Sequence, residues 1–148
     1  MSSSSTQSPL RRALHGFIDA RNAALIEARR TLKIGELDAR ALLFVAANPG
    51  ARPTQLRGYL GITSAGVTTL IDRLVDRDAV RRDVDPHDRR VNRITVTVDL
   101  GILPWSALTR FDTDFDQAVS QGDAVQNELF ATTLDGFTHT VVTLARAS

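Results

Sequence analysis

The chain has 148 residues, of which 43% are apolar and 24% are charged, a composition typical of one compact domain or one subunit of an oligomer. It contains no Cys, which excludes disulfides, thiolate metal sites and cysteine nucleophiles. The longest apolar run, 41–47, is far shorter than the ~20 residues of a membrane-spanning helix, and the Ser-rich start lacks a signal-peptide pattern. The sequence therefore predicts a soluble, cytoplasmic protein.

The charges are distributed unevenly along the chain. The overall net charge is only +1, yet residues 1–98 hold 16 basic and 10 acidic residues, whereas residues 99–148 hold 2 and 7. All but one of the basic residues are Arg, whose planar guanidinium suits contacts to phosphate and guanine. A GC-rich genome would produce the same bias, so the pattern indicates a basic N-terminal part without identifying its partner.

Helical periodicity dominates the first part of the chain. Residues 1–8 are polar and of low complexity, which predicts a disordered lead. From Pro9 to Leu32 apolar residues recur at steps of three and four, which predicts an amphipathic helix that Gly35 ends. This helix is long for a small domain, so part of its apolar stripe is expected to pack on another subunit.

Three shorter helices are predicted next. Residues 37–48 form a mostly buried helix, which an Asn-Pro-Gly stop signal ends. A short helix over 54–60 then turns sharply into a fourth helix, which Thr63 or Ser64 caps and which runs to about Arg77. Two short helices joined by such a turn favour a helix-turn-helix.

The period changes to two after the fourth helix. Apolar and polar residues alternate over 80–84 and 94–98, which predicts two β-strands. The segment 85–90 between them is rich in turn formers and charge, so the strands form a hairpin with a polar, basic tip. Two C-terminal helices, 102–120 and 123–146, complete a mainly α-helical chain with a small β-hairpin.

The fourth helix carries the strongest candidate site. Its apolar residues share one face, and the opposite face presents Ser64, Ala65, Thr68, Thr69 and Arg73. Small and hydroxyl side chains near a helix N-terminus allow close approach to base edges, and Arg binds guanine or phosphate. Asp72 lies on the same face and would repel phosphates, and the sequence assigns it no partner.

A helix-turn-helix followed by a basic hairpin is the order of a winged helix, in which one helix enters the major groove and an Arg of the wing enters the minor groove. Asp88 precedes Arg90 by two residues, so a charge-assisted hydrogen bond is expected to hold that guanidinium extended. The alternative for this pair in isolation is an ordinary surface ion pair.

These motifs resemble the MarR family (multiple antibiotic resistance regulators) of bacterial transcription factors. The stretch 55–74 looks like the family's helix-turn-helix, and 80–90 looks like its wing, with the Asp-x-Arg signature at Asp88 and Arg90. The motifs cover roughly residues 37–101, and the order of the flanking helices extends the resemblance over nearly the whole chain.

The resemblance implies a winged helix-turn-helix core at 36–100, flanked by dimerisation helices at 9–35 and 101–148. It implies a homodimer that binds a pseudo-palindromic double-stranded DNA operator, typically as a repressor. In many members a phenolic or other small aromatic compound releases the DNA. The residues expected to bind DNA are Thr54, Gln55, Ser64, Ala65, Thr68, Thr69, Arg73, Asp88, Arg89 and Arg90.

The family's effector contacts form no tight motif, so candidates for an effector site rest on chemistry alone. Aromatic walls and a cation or hydrogen-bond donor for a carboxylate are expected from His15, Phe17, Arg21, Phe44 and Trp105. Packing in the core or in an interface is the competing role of each. The family's Leu-Thr-x-x-Gly motif after the wing appears here as Val96-Thr97 with Gly101 one residue late, so the start of the next helix stays open.

An enzyme is not predicted. The three His residues lie at 15, 87 and 139 without metal-ligand spacing, and no Gly-rich nucleotide-binding motif is present, so no catalytic residue, metal or cofactor is expected. The competing hypothesis is a dimeric winged-helix adaptor that binds protein and not DNA. The arginines of the hairpin and a net charge of +3 over 52–93 favour DNA. The sequence does not name the operator, the regulated genes or the effector.

Overall fold

The computed structural model describes residues 7–147, which belong to two compact units, Met1–Arg110 and Phe111–Ser148. The predicted fold class is confirmed: the chain is mainly α-helical with one small antiparallel sheet. The elements in chain order are α1 (Pro9–Leu32), α2 (Glu36–Ala47), α3 (Pro53–Leu60), α4 (Ser64–Asp76), β1 (Val80–Val84), β2 (Asn92–Val96), a 3₁₀ turn (Trp105–Leu108), α5 (Arg110–Ser120) and α6 (Ala124–Ala147). None of the helices in the described residues is long and apolar enough to span a membrane.

Helix α1 begins at Pro9 as predicted, but the segments on either side of it differ from the prediction. Residues 1–6 of the expected disordered lead lie outside the described residues, but Ser8 is the N-cap, and its Oγ accepts a hydrogen bond from the backbone N–H of Arg11 at 3.2 Å. The helix ends at Leu32, not at Gly35, because Lys33 adopts the left-handed conformation with φ 55°. Gly35 is instead the N-cap of α2.

The core of the first unit lies where α2, α3 and α4 pack together and on the sheet. Helix α4 buries the face that its apolar period predicted, namely Val67, Leu70, Ile71 and Leu74. The end of α1 contributes Ala28 and Leu32, and Leu108 of the 3₁₀ turn is also buried. Since the buried face of α4 is fixed in this core, its polar face is held outward.

The sheet differs from the prediction in the position of β2 and in one added contact. Strand β2 covers Asn92–Val96 and not 94–98, because Asn92 pairs with Val84 at the turn and Val96 pairs with Val80 at the other end. The connection between α2 and α3 adds a third segment: the N–H of Ile94 donates to the carbonyl of Ala51 at 2.8 Å, and the N–H of Gly50 donates to the carbonyl of Ile94 at 3.0 Å. These bonds join the hairpin to the helical core.

The predicted continuous helix over 102–120 is wrong in its first part. Pro104 restricts the conformation of the residue before it and has no N–H to donate, and only the 3₁₀ turn forms before α5 begins at Arg110. In the second unit, α6 begins at Ala124, one residue after the predicted start. Asp123 caps it by accepting the backbone N–H of Gln126 at 2.8 Å.

Candidate nucleic-acid interface

Helix α4, the predicted recognition helix, is well formed at its N-terminus. Thr63 is the N-cap, and its Oγ1 accepts the backbone N–H of Gly66 at 3.1 Å. Ser64, Ala65 and Thr68 are exposed, as is Thr69. The four predicted contact residues therefore form one small, polar surface on the outer face of the first turns, where a base edge can approach closely.

The hydroxyl groups of this surface are partly engaged within the helix. Thr68 Oγ1 donates to the carbonyl of Ser64 at 3.1 Å, and Thr69 Oγ1 donates to the carbonyl of Ala65 at 3.0 Å. Each hydroxyl proton is thereby used, but the oxygen keeps the capacity to accept a hydrogen bond. Accepting hydroxyls suit the amino groups that adenine and cytosine present in the major groove.

Helix α3 adds polar groups beside this surface. Gln55 Oε1 accepts the backbone N–H of Arg52 at 2.8 Å, so its oxygen caps the start of α3, while Thr54 is exposed. Arg57, which the sequence analysis did not select, donates from Nη1 to Ser64 Oγ at 3.1 Å. Arg57 therefore places a cation beside the start of α4, a position that its spacing from Ser64 across the turn already indicated.

The structure gives Arg73 a partner inside the protein. Its Nη2 donates to Asp38 Oδ1 at 2.6 Å and its Nε donates to Asp38 Oδ2 at 3.2 Å, and only 9% of the Asp38 side chain is exposed. This hydrogen bond with Asp38 raises the pKa of Arg73 above its ordinary value. The bidentate pair joins the recognition helix to α2, so direct DNA binding by Arg73 stays a prediction.

Asp72 also has a partner, which the sequence did not reveal. Nη2 of Arg82 on β1 donates to Asp72 Oδ1, and this ion pair links the outer face of α4 to the base of the hairpin. The pair neutralises a carboxylate that would otherwise repel DNA. Arg82 is thus a further residue of the candidate interface.

A buried carboxylate organises the hairpin. Asp85 accepts the backbone N–H of His87 at 2.8 Å, the backbone N–H of Asp88 at 3.3 Å and Nε of Arg93 at 2.6 Å. These bonds, first that of the His87 amide and then that of Arg93, hold the pKa of Asp85 below its ordinary value. Arg93 also donates to the carbonyl of Gly50 at 3.2 Å, which ties the hairpin to the connection between α2 and α3.

At the tip of the hairpin, Asp88 holds Arg90 in the arrangement that the sequence predicted. Asp88 Oδ1 accepts both the backbone N–H of Arg90 at 3.0 Å and its Nε at 3.2 Å, and Oδ2 lies 3.4 Å from Nη2. These bonds lower the pKa of Asp88, the backbone N–H contributing most. The Arg90 side chain is 91% exposed, and Arg89 beside it is exposed as well. The tip therefore presents a guanidinium that is held at its base and free to meet a phosphate or a groove.

The five effector candidates do not all come together. Arg21 and Phe44 line a cavity of about 420 Å³ bounded by α1, α2 and α3. Tyr59, which the sequence analysis missed, also lines it and stacks on Phe44 with ring centroids 4.5 Å apart. The other three candidates lie elsewhere in the described part of the chain, namely His15, Phe17 and Trp105.

Residues 7–147 contain no group of three or more His, Asp or Glu that could hold a metal ion. His87 interacts with the hairpin through its backbone N–H, which donates to Asp85. The acidic residues of the hairpin are engaged with Arg and backbone N–H groups, which are the partners expected of a structural turn.

Together, a short helix, a capped recognition helix and a basic hairpin define a winged helix-turn-helix protein. The model of the MarR family matches residues 34–91, so the resemblance found in the sequence is confirmed over this segment. The MarR family consists of transcription regulators and not of enzymes. Among curated proteins, none matches the chain.

Solved structures with the same fold cover nearly the whole chain. MepR from Staphylococcus aureus bound to ethidium bromide is 24% identical, with a TM-score of 0.61 over 95% of this chain and 99% of that one. A mutant of MepR bound to an oligodeoxyribonucleotide is 20% identical, with a TM-score of 0.59 over 91% and 99%. The transcriptional regulator Tm0710 from Thermotoga maritima is 21% identical, with a TM-score of 0.61 over 93% and 99%. At these identities the likeness shows the fold alone.

Proposed function

We propose that this protein is a DNA-binding transcription regulator, and specifically a homodimeric repressor that binds a pseudo-palindromic operator. The observation that carries the proposal is that the chain presents both a small, exposed polar face on α4 and an exposed Arg90 guanidinium, which Asp88 holds at the tip of the hairpin. A small polar helix face suits the major groove, and an exposed Arg on a wing suits the adjacent minor groove. MepR, a protein of the same fold, has been solved with an oligodeoxyribonucleotide.

Exposed apolar side chains in the second unit support a dimer. Phe130, Phe137 and Val141 lie at spacings of seven and four on α6, and each is more than half exposed in the single chain. A soluble protein rarely leaves such a stripe open to water, so we assign it to contact with a second copy. A dimer would fix two recognition helices at a separation of about one turn of DNA, ~34 Å.

The cavity bounded by α1, α2 and α3 supports release by a small aromatic effector. Phe44 and Tyr59 form a stacked aromatic wall, and the guanidinium of Arg40 lies 5.4 Å from the centre of the Tyr59 ring. A flat, anionic molecule suits such a wall with cations beside it. An effector that binds better to a conformer with a different spacing of the recognition helices would release the operator. MepR, whose fold is similar, has been solved with ethidium bromide, which is flat and aromatic but cationic, so the parallel extends to the aromatic rings and not to the charge.

Fluorescence anisotropy with two DNAs of equal length tests the proposal. The first is the intergenic DNA beside the gene of this protein, and the second is the same sequence scrambled. A sequence-specific regulator is expected to prefer the first by about 10³-fold or more at physiological salt. Repetition at several salt concentrations separates base recognition from phosphate attraction, since only the latter falls steeply with salt. Weak, equal binding to both DNAs would place the operator elsewhere in the genome or favour the protein-binding adaptor. Recovery of bound fragments from genomic DNA separates these two outcomes, since only a regulator enriches a particular sequence.

A matched pair of variants tests the wing. Arg90→Ala is expected to weaken binding to the intergenic DNA by roughly tenfold, about 1.4 kcal/mol, without changing the oligomeric state in sedimentation. Arg30→Ala removes the same charge from α1, where Arg30 pairs with Glu27 at 2.7 Å, and should leave binding unchanged. Equal binding by both variants would rule out the wing contact.

A further inference from the structure

Arg77 connects three elements of the first unit. It is the C-cap of α4, and its Nη2 and Nη1 donate to the carbonyls of Leu32 at 2.6 Å and Lys33 at 2.8 Å, at the end of α1. Its guanidinium also lies 5.8 Å from the centre of the Trp105 ring, in the 3₁₀ turn. One side chain thus joins the end of the recognition helix to the end of α1 and to the segment that follows the sheet.

We call this set of contacts, from Arg77 to the end of α1 and to the Trp105 ring, the Arg77 joint. Its chemistry requires arginine. The carbonyls at the C-terminal end of a helix have no partner within the helix and carry partial negative charge. The planar guanidinium can donate to two carbonyls and still present its flat face to an indole ring. Lysine keeps the charge but offers a compact ammonium group in place of the flat fork, so it cannot reproduce both interactions.

The position of the Arg77 joint allows it to affect DNA binding, because it restrains the recognition helix. The buried face of α4 holds the helix in the core, and Arg73 in its last turn is bonded to Asp38 on α2. Arg77 is the contact that ties its C-terminal end to α1, the long helix predicted to take part in dimerisation. Rotation of α4 about the Arg73 contact would therefore be resisted at Arg77.

We propose that Arg77 is a positioning residue, which acts through α1 and Trp105 to fix the orientation of the recognition helix. The inference rests on the proposed function in one respect: only its effect on the spacing of two recognition helices on an operator depends on that function. The contacts of Arg77 with the end of α1 and with Trp105 lie within one chain, so their effect on the orientation of α4 is measured without DNA.

A distance measurement within one chain tests the joint directly. The chain contains no Cys, so Ala23→Cys on α1 and Thr68→Cys on α4 provide two unique sites for spin labels. Doubly labelled protein is diluted into an excess of unlabelled protein, so that distances within a chain dominate, and the distribution is measured by pulsed electron paramagnetic resonance. Arg77→Ala and Arg77→Lys are expected to broaden or shift the distribution, whereas Arg30→Ala should reproduce that of the parent.

Two further measurements separate positioning from a loss of folding. Trp105 is the only Trp in the chain, so its emission reports directly on the joint and should shift to longer wavelength in Arg77→Ala. The distances are compared at a temperature at which far-ultraviolet circular dichroism shows every variant folded. Arg77→Lys provides the milder substitution, since it keeps the charge and the length of the side chain.

Affinity for the intergenic DNA measures the functional effect of the Arg77 variants. Both Arg77 variants are expected to bind more weakly by roughly 5- to 150-fold, the usual range of coupling between sites, and to lose dependence on the spacing of the two half-sites. An unchanged distance distribution would overturn the inference, even if DNA binding fell, because Arg77 would then act by touching DNA. Absence of DNA preference in the unsubstituted protein would overturn the proposed function alone, since the distances decide the joint.

Discussion

Nη2 of Arg82 on β1 donates a hydrogen bond to Oδ1 of Asp72 on the recognition helix, so the carboxylate on the outer face of α4 is paired with a cation at the base of the wing. Both side chains are partly exposed, and such pairs contribute little to the free energy of unfolding. The value of the pair lies in the charge it cancels near DNA and in the link between helix and wing.

The Asp72 and Arg82 pair predicts that a second substitution restores DNA binding lost in a first. Arg82→Ala leaves the Asp72 carboxylate unpaired beside the phosphates, so binding to the intergenic DNA should weaken by roughly tenfold. Asp72→Asn in the Arg82→Ala background removes the repelling charge and should recover part of that loss. Anisotropy titrations of the two single variants and the double variant measure the effect. If the double variant bound DNA no better than Arg82→Ala, repulsion by Asp72 would not explain the weaker binding of Arg82→Ala.

Arg73 is predicted to stabilise the fold. Arg73→Ala leaves the buried Asp38 carboxylate without its donors, so the free energy of unfolding should fall by about 1–3 kcal/mol. Arg81→Ala is the control, because the pair of Arg81 with Asp83 is exposed and should contribute about 0–1 kcal/mol. Urea denaturation measures both. A loss of DNA binding by Arg73→Ala without a loss of stability would point instead to the direct DNA contact.

Thr69 is predicted to contribute to the sequence specificity of DNA binding. Thr69→Ala removes a hydroxyl and a methyl group from the outer face of α4, so the ratio of affinities for intergenic and scrambled DNA should fall, while affinity for scrambled DNA stays the same. Thr132→Ala is a matched control, since Thr132 on α6 donates to the carbonyl of Glu128 in the same way that Thr69 donates to that of Ala65. An unchanged ratio in Thr69→Ala would exclude this residue from base recognition.

Asp85 makes the first unit sensitive to acid. Its pKa is lower in the folded chain than in the unfolded chain, because the His87 amide and Arg93 stabilise the carboxylate. Its contribution to stability is therefore fully present above the ordinary aspartate pKa of about 3.9 and is lost as the pH falls through the lower, folded pKa. Chemical denaturation of the parent from pH 7 downward should show this loss, and Asp85→Asn should show a smaller dependence on pH over the acid range. The same acid dependence in both proteins would contradict the assignment.

Local patterns account for what the sequence predicted well. The apolar period of α4 and its Thr63 cap involve residues within one or two helical turns, as does the alternation in the two strands. The Asp88 and Arg90 pair spans two residues, so a turn brings its members together whatever the rest of the chain does. Interactions of such short range depend on backbone geometry that the residues themselves dictate.

The boundaries were predicted less well, for a related reason. The end of α1 at Leu32 depends on Lys33 taking the left-handed conformation, a state in which glycine is the residue usually expected. The 3₁₀ turn at Trp105–Leu108 falls within the predicted helix 102–120, since Leu108 keeps helical spacing with the residues after it. In both places the local backbone conformation ended or delayed a helix, although the spacing of apolar residues was consistent with a continuous one.

The amino-acid sequence by itself determined the helix-turn-helix, the wing and the small polar face of α4, because each follows from periodicity and turn chemistry over a few residues. Only the tertiary structure decided which charges are paired across elements: Asp38 with Arg73, Asp72 with Arg82, and the Arg77 joint to the end of α1. The members of the first pair are 35 residues apart, and they meet only where α2 and α4 cross. Any of several arginines can satisfy a given carboxylate by charge, so the choice among them is made by the packing of the apolar core that brings one pair within hydrogen-bonding distance.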